Sequence, residues 1–333
     1  MQKFTALLVE ETEEKRFQSS ITERELADLP AGEVLVNVQY SSLNYKDALS
    51  ASGNKAVTRS YPHTPGVDAA GVVLESSNPD FVEGDKVIVT GYDLGMNTSG
   101  GFGQRIRVPA NWVIKCPEGL SLKDAMILGT AGFTAALCIE KLLTNGVTPD
   151  KGTVLVTGAT GGVGIVAVSL LHKLGFKVAA STGKSASHNL LRQVGADEII
   201  DRNSLSDANS RPLLKEQWAG AIDVAGGDTL SNVIKSVCYG GSVACCGLVQ
   251  SAALQGTVLP FILRGVNLLG VDSVQLPLQV KADIWNKLAG PWRLDDLNAL
   301  CNEIDFSELE SSLRKVLNGE AVGRYVLNLS KLS

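Results

Sequence analysis

The 333-residue sequence has six cysteines, Cys116, Cys138, Cys238, Cys245, Cys246 and Cys301, and no CxxC pair among them. A structural zinc lobe needs thiolates grouped at close, regular spacings, so that class is excluded. The cysteines sit largely inside apolar runs and read as small core residues kept reduced. An excess of basic charge is also missing: 30 Lys and Arg face 35 Asp and Glu, for a net charge of -5. That balance argues against a nucleic-acid partner, which requires a basic surface, but it leaves room for a local cationic pocket for phosphates. No uninterrupted apolar stretch approaches the roughly 20 residues of a bilayer span, so no membrane partner is expected. The opening segment MQKFTALLVEETEEKR follows its short apolar run with acids, unlike a signal peptide. Cytoplasmic residence is the expectation. Internal repeats and low-complexity segments are absent as well.

What is present fits a soluble globular chain of about two domains: 44% hydrophobic and 20% charged residues. The first third carries short β-like runs separated by turn signals, at Glu33–Tyr40, Ala69–Glu75, Asp85–Thr90 and Gln104–Val108. Such spacing predicts a barrel or sandwich. From about Lys123 a helical stretch begins, followed by strand–helix alternation, which predicts a parallel sheet. Its strands are expected at Thr153–Thr157, Lys177–Ala180, Glu198–Ile200, Ala221–Val224, Ser242–Cys245 and Leu268–Val271, with helices at Gly164–Leu174 and Ser187–Val194. Six strands with crossovers match the dinucleotide-binding fold. After Asp272 the chain returns to the first domain through a helix at Ser307–Leu317 and a strand at Tyr325–Leu329. The expected division is 1–124 and 271–333 for the substrate domain and 125–270 for the nucleotide domain.

The strongest local signal is Gly152–Gly175, GTVLVTGATGGVGIVAVSLLHKLG. A buried strand ends, the chain turns through small residues, and an apolar helix follows. Ala159, Gly161 and Gly164 occupy the three small positions of the G-x-G-x-x-G fingerprint. They allow, in order, a tight turn, close approach of backbone to a pyrophosphate, and packing of helix on strand. The loop Ala159, Thr160, Gly161, Gly162, Val163 and Gly164 would present amides to the anion at a helix N-terminus. An NAD site places a carboxylate about 20 residues onward, on the ribose 2′-hydroxyl. This chain has Ser181, Thr182, Gly183 and Lys184 there, with Arg202 after the third strand. Hydroxyls and cations suit a 2′-phosphate, so NADPH is the expected cofactor.

These segments, together with SSLNYKDAL (Ser41–Leu49), PGVDAAG (Pro65–Gly71), GTAGFTA (Gly129–Ala135), YGGSVACCGL (Tyr239–Leu248), LPFILRGVNLLGVDSV (Leu259–Val274) and GRYV (Gly323–Val326), resemble the zinc-independent quinone-oxidoreductase branch of the medium-chain dehydrogenase/reductase superfamily. Within it the chain is similar to the YhdH-type acryloyl-CoA reductases over essentially its whole length. The resemblance implies an α/β protein with a Rossmann domain inserted into a GroES-like β-barrel substrate domain and cofactor in the cleft between them. It also implies cofactor contacts from Tyr45, Thr130, Ala159 to Gly162, Ser181 to Gly183, Arg202, Leu248, Ile262, Ser273 and Arg324, and a homodimer joined through the dinucleotide domains.

Zinc-containing relatives place a cysteine at or near Leu43 and a His–Glu pair after the later glycine, where this chain reads Gly66-Val67-Asp68. His63, His172 and His188 read as packing or surface residues, so no metal is expected. Without a Lewis acid an unactivated alcohol is a difficult substrate; an α,β-unsaturated acyl-CoA or enone, already activated by conjugation, fits better. Asn44, Tyr45 and Asp47, sharing one short loop, are the catalytic candidates. Tyr45 would donate from its phenol, Asn44 would hydrogen-bond the carbonyl or ribose, and Asp47 would position them. Lys46, Lys55, Arg59 and Arg264 are candidate cations for the phosphates of a CoA thioester. Two alternatives stay open: a quinone or enone oxidoreductase on the same scaffold, and a non-catalytic NADPH-binding protein.

Overall fold

A computed structural model describes residues 3–206 and 210–331. The chain divides into two compact units. One holds the residues up to Thr130, Val274–Pro291 and those from Asp295 onward; the other holds Ala131–Ser273 with Trp292–Leu294.

The first unit is mainly antiparallel. Strands β1 (Lys3–Glu11) and β2 (Phe17–Glu25) form a two-stranded ribbon. The larger sheet combines β3 (Val34–Ser42), β4 (Asp68–Ser76), β5 (Lys86–Thr90), β6 (Arg105–Val108) and β7 (Val113–Lys115). Helix α1 (Tyr45–Ala51) leaves from the end of β3. Along β3, Val34, Val36 and Val38 alternate into the core with Val87 and Val89 of β5, Phe102 and Ile106. Side chains two apart share a face of a strand, and burying each valine stabilises the fold by about 1.5 kcal/mol or more.

Helix α2 (Leu122–Thr144) passes from this unit to the next and is broken at Gly129, where φ is 52° and ψ is -160°. By length and composition α2 is the one helix among the described residues that is long and apolar enough to cross a membrane, and 78% of its most apolar window is buried inside the protein. Counting uninterrupted apolar residues missed it, because Lys123 and Asp124 at one end and Glu140 and Lys141 near the other cut the run short.

The second unit carries β8 (Thr153–Val156), α3 (Gly162–Lys173), β9 (Lys177–Thr182), α4 (His188–Gln193), β10 (Glu198–Asp201), α5 (Asn203–Ser206), β11 (Trp218–Asp223), α6 (Gly227–Ser236), β12 (Val237–Cys245), α7 (Leu259–Arg264) and β13 (Asn267–Gly270). Its strands are parallel, in the order β10-β9-β8-β11-β12-β13. Counted from β8 this is the 3-2-1-4-5-6 arrangement of a doubly wound nucleotide-binding sheet. All six expected strands are there, although β9 runs on to Thr182 and β12 starts earlier, at Val237.

The chain then re-enters the first unit through α8 (Leu278–Ala289), β14 (Cys301–Ile304), α9 (Phe306–Leu317) and β15 (Arg324–Asn328). Strand β15 lies between β14 and β3, pairing antiparallel with β3, and so completes the larger sheet. Lys281 of α8 is fully buried; its Nζ donates to the carbonyls of Thr90 at 2.7 Å and Val274 at 3.0 Å, and lies 3.5 Å from the Tyr92 ring centre. Carbonyl dipoles and the ring face stabilise that cation, anchoring the returning segment.

Candidate active site

In the second unit, the turn after β8 is built by small residues for steric reasons. Gly158 has a φ of 58°. A Cβ on Gly164 would stand 2.7 Å from the Ala159 Cα and overlap the Gly158 carbonyl oxygen. Helix α3 therefore packs directly on the turn. No side chain caps Gly161 at its N-terminus, although the Ile165 amide bonds back to the Gly161 carbonyl at 2.9 Å. Amides at such an end, with the helix dipole behind them, suit a phosphate. The turn is tied to β9 by the Ala159 amide on the Ser181 carbonyl at 3.0 Å. It is tied to β11 through Asp223, which sequence reasoning missed. This buried carboxylate accepts from Thr157 Oγ1 at 2.7 Å and from the Gly226 amide at 2.8 Å. Burial pushes its pKa up, against the pull of those hydrogen bonds. An acid ending the apolar strand AGAID was the available signal.

Ser181, Thr182, Gly183, Lys184 and Arg202 come together at the end of β9. Thr182 Oγ1 accepts from the Lys184 amide at 3.0 Å and lies 3.4 Å from Thr160 Oγ1. The Arg202 amide bonds the Thr182 carbonyl at 3.2 Å, and the guanidinium stem lies over Gly183, where a Cβ would stand 2.8 Å from Arg202 Cδ and Cζ. Gly183 and Arg202 are exposed. The residues present fit a 2′-phosphorylated dinucleotide: small residues where it would approach, a helix start without a side-chain cap, and a cation in place of a carboxylate; of the loop amides expected to face the anion, those of Ala159 and Gly161 are instead taken by the Ser181 and Gly158 carbonyls. Leu248 and Ile262 are exposed at 62% and 68%, and Ser273 is half-buried, so none of these three is held in a packed core.

In the first unit the expected loop of Asn44, Tyr45 and Asp47 is instead the start of α1. Asn44 is its N-cap, Tyr45 its first residue and Asp47 the partner that closes a capping box. Such reciprocal bonding satisfies two orphan donors at a helix start, and a seven-residue helix is too short to show periodicity. Tyr45 is 47% exposed, whereas Asp47 is fully buried. Asp47 accepts from the Asn44 amide at 2.8 Å and from the Val67 amide at 2.8 Å. Burial, with the nearby charge of Asp68, pushes its carboxyl up to about 7 despite these bonds.

Asp68, read in the sequence only as part of PGVDAAG and of the zinc-lacking Gly66-Val67-Asp68, is the hub of this cluster. Its carboxylate is fully buried and accepts from Ser42 Oγ, Asn44 Nδ2 at 2.7 Å, the Thr130 amide at 2.8 Å and Thr130 Oγ1. Thr130 follows the break at Gly129, so Asp68 caps the helix that restarts there. Arg324 is 2% exposed. Its Nε donates to the Ile127 carbonyl at 2.8 Å and Nη1 to the Leu43 carbonyl at 3.3 Å. Burial lowers its pKa while Asp68 and Asp47 oppose the shift. Thr130 and Arg324, expected at the cofactor, are thus both gathered around Asp68.

The four candidate phosphate cations separate. Arg264 donates to the Lys235 and Leu214 carbonyls, both at 2.8 Å, and pairs with Glu216, while Lys55 pairs with Glu11 at 2.6 Å. Lys46 and Arg59 are left. His63 packs inside, with Nε2 2.9 Å from the Gly95 carbonyl. No group of three or more His, Cys, Asp or Glu among the described residues could hold a metal ion. Leu43 and Val67 put buried aliphatic side chains where zinc ligands would be needed, so the residues do not fit zinc.

Sheet order, small-residue turn and the cation beyond β9 are those of a dinucleotide-binding domain, and similarity to known dehydrogenases and reductases makes the chain an oxidoreductase. Residues 30–118 match the alcohol dehydrogenase GroES-like domain and residues 162–288 the zinc-binding dehydrogenase domain. The chain belongs to the medium-chain dehydrogenase/reductase family. It is 43% identical over 328 residues to the acrylyl-CoA reductase AcuI of Ruegeria pomeroyi, covering 98% of this chain and 99% of that one. Its identity to the putative quinone oxidoreductase YhfP of Bacillus subtilis is 45% over 303 residues, or 91% and 92% of the two chains. The solved yhdH oxidoreductase of Salmonella enterica in complex with NADP is 43% identical, with a TM-score of 0.95 over 98% of this chain and 99% of that one. Bacillus subtilis yhfP, solved with NAD bound, is also 43% identical, with a TM-score of 0.96 over 99% and 100%.

Proposed function

We propose that this chain is an NADPH-dependent reductase of activated carbon–carbon double bonds, converting acryloyl-CoA to propanoyl-CoA. The observation that carries the reading is the end of β9, where two hydroxyls and Arg202 stand in place of a carboxylate, beside a turn shaped for a pyrophosphate. The full-length similarity to an acrylyl-CoA reductase supplies the substrate class. When bound, NADPH would supply the hydride that goes to the substrate β-carbon, and the α-carbon would then take a proton from solvent.

The residues of the chain then have distinct roles. Negative charge develops on the substrate carbonyl oxygen as the hydride arrives, and a donor aimed there lowers the barrier. The Asn44 amide already donates inward, to Asp68 and Ser42, so Asn44 acts by presenting its neighbour. Tyr45 is that donor, its phenol reaching out from the first turn of α1. Asp47 locks the turn. Lys46 and Arg59 meet the phosphates of CoA.

Kinetics of NADPH oxidation on acryloyl-CoA, crotonyl-CoA and a 1,4-quinone, with NADH as comparison, test the reading. Acryloyl-CoA with NADPH should give the highest kcat/KM by about tenfold, a difference of roughly 1.4 kcal/mol in transition-state binding. Preference for the quinone would move the chain to the oxidoreductase alternative, and NADPH binding without any turnover would make it non-catalytic.

The same reading makes the protein a cytoplasmic homodimer. All six cysteines are free thiols, as a reducing compartment keeps them. Strand β13 is an edge of its sheet, and the segment around it exposes Leu248, Val249, Leu254, Val258, Ile262 and Leu263. An open edge beside an apolar patch is a self-pairing surface. Sedimentation should give a dimer for the wild type and a monomer for Leu263→Glu; a wild-type monomer at micromolar concentration ends this part of the reading.

A further inference from the structure

Four donors converge on the Asp68 carboxylate from three places in the first unit. Ser42 comes from the end of β3, Asn44 from the cap of α1, and Thr130 gives both its amide and its hydroxyl from the restart after Gly129. An ionised carboxylate offers about four lone-pair sites and no hydrogens, so this acceptor is filled. Gly129 keeps the space open. A Cβ there would lie 2.7 Å from Asp68 Oδ2 and 2.9 Å from Arg324 Nη2, and would overlap Ser42 Oγ. Arg324 Nη2 is buried without a hydrogen-bond partner. The charges of Asp68 and Asp47 both act on this guanidinium.

We infer that Asp68 is a positioning residue for the reduction: it fixes the Asn44 amide and thereby the outward reach of Tyr45, with Arg324 as its buried counter-charge. This rests on the reading of Tyr45 as the donor to the substrate. The physical step is short. Asn44 is bound twice, by its backbone amide to Asp47 and by its side chain to Asp68, and Tyr45 is the next residue. If the Asp68 acceptor is lost, Asn44 is held at one point only, and the first turn of α1 gains a rotation about it. Misplacing a reacting group by an ångström costs turnover far more than it costs cofactor affinity.

The test uses the full chain with NADPH, comparing wild type with Asp68→Asn and Ser42→Ala. Asparagine keeps the shape but turns hydrogens toward donors, so kcat should fall by about 30-fold, within the range for a lost charge-assisted bond. NADPH affinity, by fluorescence titration, should fall much less than kcat, because the turn after β8 and Arg202 lie elsewhere in the chain, even though Thr130 stands beside Asp68. Ser42→Ala removes one donor of the four and should lower kcat by about fivefold, which keeps the test open if Asp68→Asn does not fold. A kcat within threefold of wild type in both folded variants overturns the inference; so does a fall in NADPH affinity that matches the fall in kcat. The comparison runs on whichever acceptor the wild type turns over best. Failure of acryloyl-CoA alone therefore counts against the substrate reading and not against Asp68, while a wild type inert toward every acceptor overturns both.

Discussion

Gly164→Val is expected to weaken NADPH binding by about 100-fold, close to 2.8 kcal/mol at 1.4 kcal/mol per tenfold. The added Cβ meets backbone, not the yielding end of a side chain: the Ala159 Cα at 2.7 Å and the Gly158 carbonyl oxygen. Either the turn or α3 must move. Overpacking of this kind costs about 1–3 kcal/mol in a close-packed interior, and here the displaced atoms are backbone of the turn on which α3 starts. Gly161→Ala provides the contrast, because its Cβ would lie 3.3 Å from the Gly158 carbonyl oxygen, a contact that small shifts relieve. Its loss should stay below about tenfold. Fluorescence titration of both variants decides the matter, and a Gly164→Val protein binding within threefold of wild type would remove the cradle from the account.

Arg324→Met is expected to be the most destabilising single change in the first unit, by about 3–5 kcal/mol, the usual cost of stripping one partner from a buried charge cluster. Methionine replaces the stem but leaves Asp68 and Asp47 buried without their cation. It also frees the Ile127 and Leu43 carbonyls. The loss should depend on pH. Burial and Asp68 hold the Asp47 carboxyl up at about 7 in the folded protein, against about 3.9 for an unfolded aspartate. A group raised on folding contributes stability that is fully present below the unfolded value and is lost as pH rises through the folded one. Removing the cation moves the folded value higher still, so the penalty should be larger at pH 8.5 than at pH 5.5. Urea midpoints at the two pH values measure it. Equal penalties would show that Arg324 contributes bonds and packing and no counter-charge.

The ease with which each part was legible follows the distance between interacting residues. The strand, small-residue turn and helix were readable because they lie within Gly152–Gly175, and their steric logic is local. The grouping of Arg202 with Thr182 and Gly183 was readable because it rests on which residue types follow two adjacent strands. Asn44, Tyr45 and Asp47 were picked out by type but placed in a loop, because one short helix leaves no periodic trace and its capping box resembles turn chemistry. Asp68 was passed over. Its partners lie 24 and 62 residues away along the chain, and the Arg324 contact to Leu43 spans 281. No spacing rule connects such positions. Strand β2 was missed for another reason: its burial pattern is mostly exposed and intermediate, so it lacks the clean alternation of a half-buried strand. Lys281 shows the limit again, since a lysine in a sequence reads as surface until its carbonyl partners are known.

The seam between β3 and β15 has a consequence for how the polypeptide matures on the ribosome. Residues near position 40 must wait for those near 327 before their side of the sheet closes, and Ile127 waits equally long for Arg324. The nucleotide-binding segment, by contrast, has all six of its strands once Gly270 has emerged. Domains fold as units during synthesis, at roughly 5–20 residues per second. The half that grips the dinucleotide can therefore mature while the half that carries Tyr45 is still an unfinished sheet with an open flank. A nascent chain exposed only as far as a point between Gly270 and Arg324 has every strand of its parallel sheet while its antiparallel sheet still lacks β15.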